Sequence, residues 1–277
     1  MKSVFLAWQD SKTRGWTPIG RLSIEGRGYR FYWTKAARTV LSDLPLPDGM
    51  KNTEYIYESD ELFPFFANRL LNPNRPEFRR FVKWLALEGQ ESDALSALAI
   101  SGGERGTDPF EIFPEPERTH DGKYEITFFS HGLRHLPPGS SEAIERLQPG
   151  DRLYLLRDVQ NAHDQFALAL RTDDPPILVG YCPRYFAHDI CKILDRAPPS
   201  SMSVNVHRVN KDAPPSLRLL CRLVAPWPAD FVPFSGEDFE PAIPLDHAPR
   251  NIWVTARAAA MKFGANADLS VSTGAKD

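Results

Sequence analysis

Five of the seven histidines of this 277-residue chain, His131, His135, His163, His188 and His207, fall within the stretch 131–207. Imidazole serves as a metal ligand, a proton carrier near neutral pH and a flat face on which a nucleobase stacks. His131 and His135 are four apart, and Asp164 and Cys182 offer further metal donors. Such a pair converges on a metal across a helical turn, but Pro137-Pro138 follows closely, and proline disfavours helix in the residue before it. No metal or other cofactor is therefore expected. The competing chemistry is a polynucleotide groove in which His135 and His163 stack on bases or hydrogen-bond to bases and sugars. His188 and His207 read as exposed surface residues.

Other patterns point away from catalysis. Ser101-Gly102-Gly103-Glu104-Arg105-Gly106-Thr107 is glycine-rich but fits no Walker or dinucleotide pattern, and reads as a loop after a helix. There is no Gly-x-Ser-x-Gly elbow and no Cys-His pair with supporting context. Glu115/Glu117 and Asp173/Asp174 read as solvated loop charge. Cys182, Cys191 and Cys221 are odd in number and form no Cys-x-x-Cys pair, which fits a reducing cytoplasm better than a disulfide framework. A net charge of −3 is not that of a protein that coats duplex DNA non-specifically, so any nucleic-acid contact must be local. The segment from Met1 to Trp8 does not read as a signal peptide. No apolar run approaches the roughly 18 residues of a membrane-spanning helix, so no membrane partner is expected.

The elements that must position these residues form two units. In the first, residues 1–116, Val4 to Trp8 reads as a strand, and Ile19 to Ile24 with Tyr29 to Trp33 as a hairpin turning at Gly26-Arg27-Gly28. A helix from Glu61 to Leu71 is expected with Ser59 as its cap. A second starts near Pro76 and puts Phe78, Phe81, Val82 and Leu85 on one face. A third runs from a cap at Ser92 through Ile100, and Glu111-Ile112-Phe113 returns as a strand. Phe63, Phe65, Phe66, Phe78, Phe81 and Trp84 read as core. Residues 117–122 read as a linker.

The second unit, residues 117–226, holds six expected strands at Tyr124–Phe128, Asp151–Leu156, Phe166–Arg171, Ile177–Tyr181, Ser203–Val209 and Leu217–Val224. Helices are expected at Ser141–Leu147 and Pro183–Arg196. Together they suggest a small closed barrel. Residues 227–277 read as a proline-rich tail, too proline-rich for a core, with one helix over Asn251–Phe263 and a disordered end.

The order of motifs in the second unit carries a resemblance. Gly132-Leu133-Arg134-His135 is followed by Leu147-Gln148-Pro149-Gly150-Asp151-Arg152-Leu153. Asn161-Ala162-His163-Asp164-Gln165-Phe166-Ala167-Leu168 and Val179-Gly180-Tyr181-Cys182-Pro183-Arg184 come next. This series resembles the HIRAN domain, a small β-barrel module of helicase-like transcription factors and Rad5-type remodellers that also occurs free-standing in bacteria. The resemblance implies a grip on the 3′ end of single-stranded DNA by Arg134, His135, His163, Asp164, Tyr181 and Arg184. His135 and His163 stand where the family's DNA-binding members have aromatic rings. Asp164 would accept from the terminal 3′ hydroxyl, and Arg134 and Arg184 would hold the last phosphates. Asp164 has a second, compatible reading as a turn residue capping its own backbone. Arg184 has alternatives too: to lie along the barrel, or to pair with Asp158 or Asp189.

Residues 4–116 resemble the N-terminal domain of HipA-type toxin kinases, in Ile19 to Leu22, Tyr29 to Trp33, Leu62 to Leu71, Asp93-Ala94-Leu95 and Glu111 to Pro114. That likeness implies a protein partner for this region. It does not imply kinase activity, because the kinase core that follows in HipA proteins is replaced here by the HIRAN-like segment. The expectation is an α+β protein: a HipA-N-like small sheet with helices, then a HIRAN-type six-stranded barrel with two helices. The expected function is non-enzymatic binding of single-stranded DNA ends in DNA repair or mobile-element defence. Two other readings stay open, a HipA-related protein-interaction or regulatory module and a metal-dependent hydrolase.

Overall fold

Alternation of apolar side chains between two cores is the rule that organises the first half of the chain. The computed structural model describes residues 3–13, 15–42, 44, 49–89, 93–106 and 108–253. It contains β1 (Ser3–Gln9), β2 (Trp16–Glu25), β3 (Gly28–Trp33) and β4 (Ile56–Ser59), then helices α1 (Pro64–Ala67), α2 (Phe78–Trp84) and α3 (Ala94–Ser101), and then β5 (Phe110–Pro114). Val4, Leu6 and Trp8 of β1, with Phe110 and Ile112 of β5, bury into a core shared with the three helices. Phe5, Ala7 and Phe113, on the opposite face, bury into the core of the second unit. A period of two thus makes β1 and β5 the common wall of both.

Helix α1 is one turn, not the expected eleven-residue helix from Glu61 to Leu71. Ser59 ends β4, and its Oγ accepts from the Glu61 N–H at 3.1 Å without starting a helix. Phe63, Phe66 and Leu70 are buried, and successive tight turns bring them inward as well as a helix would. α3 is capped by Asp93, whose carboxylate accepts from Ser96 N–H at 2.7 Å; the expected cap, Ser92, lies outside the described residues. Gly102 and Gly103 end the helix at φ 74° and 56°, conformations that favour glycine. Of the six expected core aromatics, Phe63 and Phe66 are buried, whereas Trp84 is half-buried and donates from its indole to Asp212 at 3.0 Å. Glu115, read as solvated, instead takes Arg21 at 2.6 Å and the Ser3 hydroxyl.

The second unit holds β6 (Lys123–Phe129), α4 (Ser140–Arg146), β7 (Arg152–Arg157), β8 (Leu168–Arg171), β9 (Leu178–Tyr181), α5 (Arg184–Leu194), β10 (Ser203–Val209) and β11 (Leu219–Pro226). The sheet runs β6-β11-β10-β7-β8-β9, all antiparallel. It is curled, and the expected closed barrel is joined at its edges by a single bridge. His131 and Tyr181 exchange both backbone hydrogen bonds, at 2.9 and 3.0 Å. A continuous ladder does not form because β6 ends at Phe129, and Ser130 turns its hydroxyl to the Val179 carbonyl at 2.9 Å. Gly180 permits this approach: it sits at φ 128°, and a Cβ there would lie 1.8 Å from Ser130 Oγ.

Residues 227–253 are a strap across the two units, where a proline-rich tail outside the core was expected. Phe231, Phe234 and Ala242 are buried. Phe234 N–H donates to Asp189 at 2.8 Å, Ala242 N–H to the Trp33 carbonyl at 2.8 Å, and Lys35 N–H to the Glu240 carbonyl at 2.7 Å. β12 (Arg250–Trp253) then pairs parallel to β4, giving the first sheet the order β12-β4-β3-β2-β1-β5. Proline is tolerated because most of the strap uses isolated hydrogen bonds and aromatic knobs, not a ladder that needs every N–H. The helix expected over Asn251–Phe263 begins instead as this strand; residues 254–277 lie outside the described residues.

The shared wall sets a test. Phe113→Ala removes a fully buried ring and is expected to cost about 3–5 kcal/mol, read from urea unfolding. A chain ended at Pro226 should show faster amide exchange in β1 and β5 than the full chain. Unchanged exchange would make the strap a passenger.

Candidate functional site

A tight turn fixes the carboxylate on which the sequence reading depends. Asn161 Oδ1 accepts from the backbone N–H groups of His163 and Asp164, each at 3.0 Å. Asp164 Oδ1 accepts from Phe166 N–H at 3.0 Å, so Asp164 caps its own turn. Its side chain is 14% exposed, and Oδ2 lies 3.6 Å from Arg184 Nε. The partners anticipated for Arg184 are taken by other groups. Asp158 accepts from the Tyr181 hydroxyl at 3.1 Å and from Asn161 Nδ2 at 3.2 Å. Asp189 accepts from Phe234 N–H and pairs with Lys192 at 3.6 Å. Arg184 opens α5 just after Cys182, whose N–H donates to the Leu168 carbonyl at 2.9 Å and ties this corner to β8.

Arg134 and His135 lie on a 3-10 turn, Leu133–His135, entered through Gly132 at φ 74°. Both are exposed. Gly132 packs on the Tyr181 ring, where a Cβ would come within 3.2 Å. Tyr181 therefore closes the sheet, anchors Asp158 and supports the Arg134 turn. His163 is exposed at the tip of the Asn161 turn, and His188 and His207 are exposed as expected. His131 and His135 line the same cavity. His131 Nε2 lies 3.6 Å from Glu111, and His135 faces solvent. Among the described residues no group of three or more His, Cys, Asp and Glu is arranged to hold a metal.

The six residues divide between two cavities and the surface. Arg134 and His135 line a cavity of about 340 Å³. Asp164 and Arg184 line a second of about 370 Å³. Trp16 and Tyr185 line both. Trp16, with Glu104 and Glu111 in the first cavity, comes from the first unit and was not anticipated as part of a site. The signal for Glu111 was present: in Phe110-Glu111-Ile112-Phe113, alternation puts it on the face of Phe113, toward the second unit.

Glu111 is 2% exposed and accepts from the Tyr185 hydroxyl at 2.9 Å. Burial pushes its carboxyl up to about 7. Burial also raises the Glu104 carboxyl, with Glu111 adding to it, and holds the His131 imidazole below its usual range. Glu111, which is buried away from water, favours its neutral form. Cys182, Cys191 and Cys221 are free and buried, and burial raises all three thiols.

The model of the HIRAN domain family matches residues 123–228. Residues 123–228 are a HIRAN domain. Among solved structures, one from Lactobacillus plantarum is 19% identical with a TM-score of 0.30, over 37% of this chain and 96% of that chain. The HIRAN domain of human HLTF is 14% identical with a TM-score of 0.28, over 38% and 80%. Among curated proteins no relative matches. The HIRAN match contains all six anticipated site residues, and nothing in the comparisons supports the expected HipA N-terminal-like domain over residues 4–116. No helix among the described residues is long and apolar enough to cross a membrane.

Glu111 makes stability depend on pH. Folded, it keeps its proton to about pH 7, against an ordinary value of 4.5. The folded state therefore binds more protons across that window. The contribution is complete below pH 4.5 and is lost as pH rises to about 7, on the order of 3 kcal/mol in all. Glu111→Gln is expected to flatten the dependence of the urea midpoint on pH in this window and to be the more stable form at pH 8. An unchanged pH profile would show that another group carries it.

Proposed function

We propose that this chain is a non-enzymatic nucleic-acid-binding protein whose HIRAN domain receives the 3′ end of a single strand, in DNA repair or mobile-element defence in the cytoplasm. The HIRAN match over residues 123–228 supports the nucleic-acid part of this reading. The observation that carries the end-binding part is the Asp164–Arg184 pair beside a cavity. One carboxylate oxygen is held by the backbone, and the other stands 3.6 Å from a guanidinium. That separation is longer than a hydrogen bond. Arg184 is free to turn to a phosphate while Asp164 Oδ2 accepts from a 3′ hydroxyl. Arg134 supplies a second cation, and His135 and His163 present exposed rings for stacking. Binding without catalysis fits the cysteines, whose raised thiols are poor nucleophiles at neutral pH.

The decisive comparison is a 3′-hydroxyl against a 3′-phosphate single strand of the same sequence. The hydroxyl end is expected to bind more tightly, and a linear strand more tightly than a circular one. Equal affinity for circle and line removes end recognition. Asp164→Asn keeps an oxygen for Phe166 N–H but weakens the acceptor for the 3′ hydroxyl. It is expected to keep the melting temperature within a few degrees and to lose the preference for hydroxyl ends, whereas Asp164→Ala should also lose about 1 kcal/mol of stability with its cap. A retained end preference in both variants would exclude Asp164 from the contact.

Base–aromatic stacking is worth about 1–3 kcal/mol per base, and imidazole supplies only part of it. His135→Tyr and His163→Tyr are therefore expected to tighten binding in fluorescence anisotropy. Weaker binding by either would show that the imidazole acts through a hydrogen bond.

A further inference from the structure

A concave surface larger than either of these cavities lies elsewhere among the described residues. It is a groove of about 1340 Å³ where α2 of the first unit faces the turn after β10 and the Leu147-Gln148-Pro149 segment of the HIRAN domain. Five cationic side chains line it: Arg79, Arg80 and Lys83 on α2, and Arg208 and Lys211 opposite. Against them stand two carboxylates, Glu88 and Asp212. Glu88 is paired with Arg208 at 2.7 Å, and Asp212 accepts from the Trp84 indole at 3.0 Å. Arg79, Arg80, Lys83 and Lys211 are exposed and make no ion pair with another described residue. A chain of net charge −3 thus places five cations against two carboxylates among the described residues of one groove.

The groove is built, not a chance alignment of loose side chains. Arg208 donates to the Lys83 carbonyl at 2.7 Å and Asn210 to the Trp84 carbonyl at 3.0 Å, so the end of α2 is fastened to the HIRAN domain. Arg80 lies 5.1 Å over the Trp84 ring, which leaves an indole among the cations. His207 also lines the groove. Burial, and then Arg222 and Arg208, hold its imidazole below the usual range, so it adds a hydrogen-bonding ring and no charge.

We propose that this groove is a second nucleic-acid contact, which binds the phosphate backbone of a polynucleotide through Arg79, Arg80, Lys83 and Lys211, independently of strand ends. The proposal rests on the nucleic-acid reading of the HIRAN domain but on none of its end-binding residues. Cations along a groove, with an aromatic among them, fit a repeating phosphate chain better than a single anion.

The test uses the full chain and two probes without ends, a circular single strand and a dumbbell duplex closed by hairpins. The variant is Arg79→Glu, Lys83→Glu and Lys211→Glu together, all exposed and outside the end-binding residues. The wild type is expected to bind at least one closed probe, and the variant at least tenfold more weakly at low salt. The slope of log affinity against log salt should fall by about 2–3, at about 0.7–0.9 for each lost phosphate contact. The better-bound probe says whether the backbone is single- or double-stranded. A variant that melts early is replaced by Arg79→Gln, Lys83→Gln and Lys211→Gln, with a smaller fall expected in the same direction. Closed-probe affinity and salt slope unchanged in the variants would overturn the proposal. So would polyglutamate competing as well as an oligonucleotide at equal charge, which would assign the patch to acidic polypeptides. A wild type that binds neither closed probe but keeps its preference for 3′-hydroxyl ends overturns the groove alone; a wild type that binds no probe, open or closed, overturns both readings.

Discussion

The stacking of Phe113 on Tyr185, ring centroids 4.2 Å apart and nearly parallel at 12°, is the contact on which the arrangement of this molecule depends. Phe113 reaches it because β5 is buried on both faces, one in each core. Phe5 stacks beside it at 5.7 Å, and Phe234 closes over both, edge-on at 5.5 and 5.3 Å. The two sheets therefore share an aromatic joint, and the strap that carries Phe234 continues from it to the far edge of the first sheet. A buried apolar joint of this kind sets relative orientation firmly, since separation would expose several large rings to water.

That orientation decides what surrounds the HIRAN residues. Glu111, next to Phe113, is carried into the cleft and meets Tyr185 and His131. Trp16 becomes a wall of both cavities. The same placement brings α2 against the turn after β10 and forms the cationic groove. The molecule thus presents carboxylates beside Arg134 and cations on another surface. Its net charge says little about either, because interactions with a charged ligand are governed by groups within a Debye length, about 8–10 Å in ordinary buffers.

The turn at Asp164 shows how one residue serves structure and chemistry at once. Its Oδ1 completes the Asn161 turn, and that fixation aims Oδ2 at Arg184. Tyr181 does likewise: its backbone closes the curled sheet while its hydroxyl holds Asp158. Loss of such a side chain disturbs geometry and ligand contact together, and so the conservative Asp164→Asn is more informative than alanine.

The sequence by itself determined the elements and their local chemistry. Alternation placed most strands to within a few residues, the helical spacing of Phe78, Phe81, Val82 and Leu85 located α2, and the ordered motifs from Gly132 to Arg184 located the HIRAN domain. Those signals are local, set by periodicity, turn residues and short motifs. Only the tertiary structure decided that α1 is a single turn, that Glu115 is paired with Arg21, and that the proline-rich stretch is a strap. Only there do Trp16, Glu104 and Glu111 wall a HIRAN cavity, and do Arg79 and Lys211, more than a hundred residues apart, share a groove. These outcomes come from contacts between distant segments, in which a residue's surroundings depend on how two apolar faces meet. The reason is physical: periodicity says that a face is apolar, but not which other face will cover it.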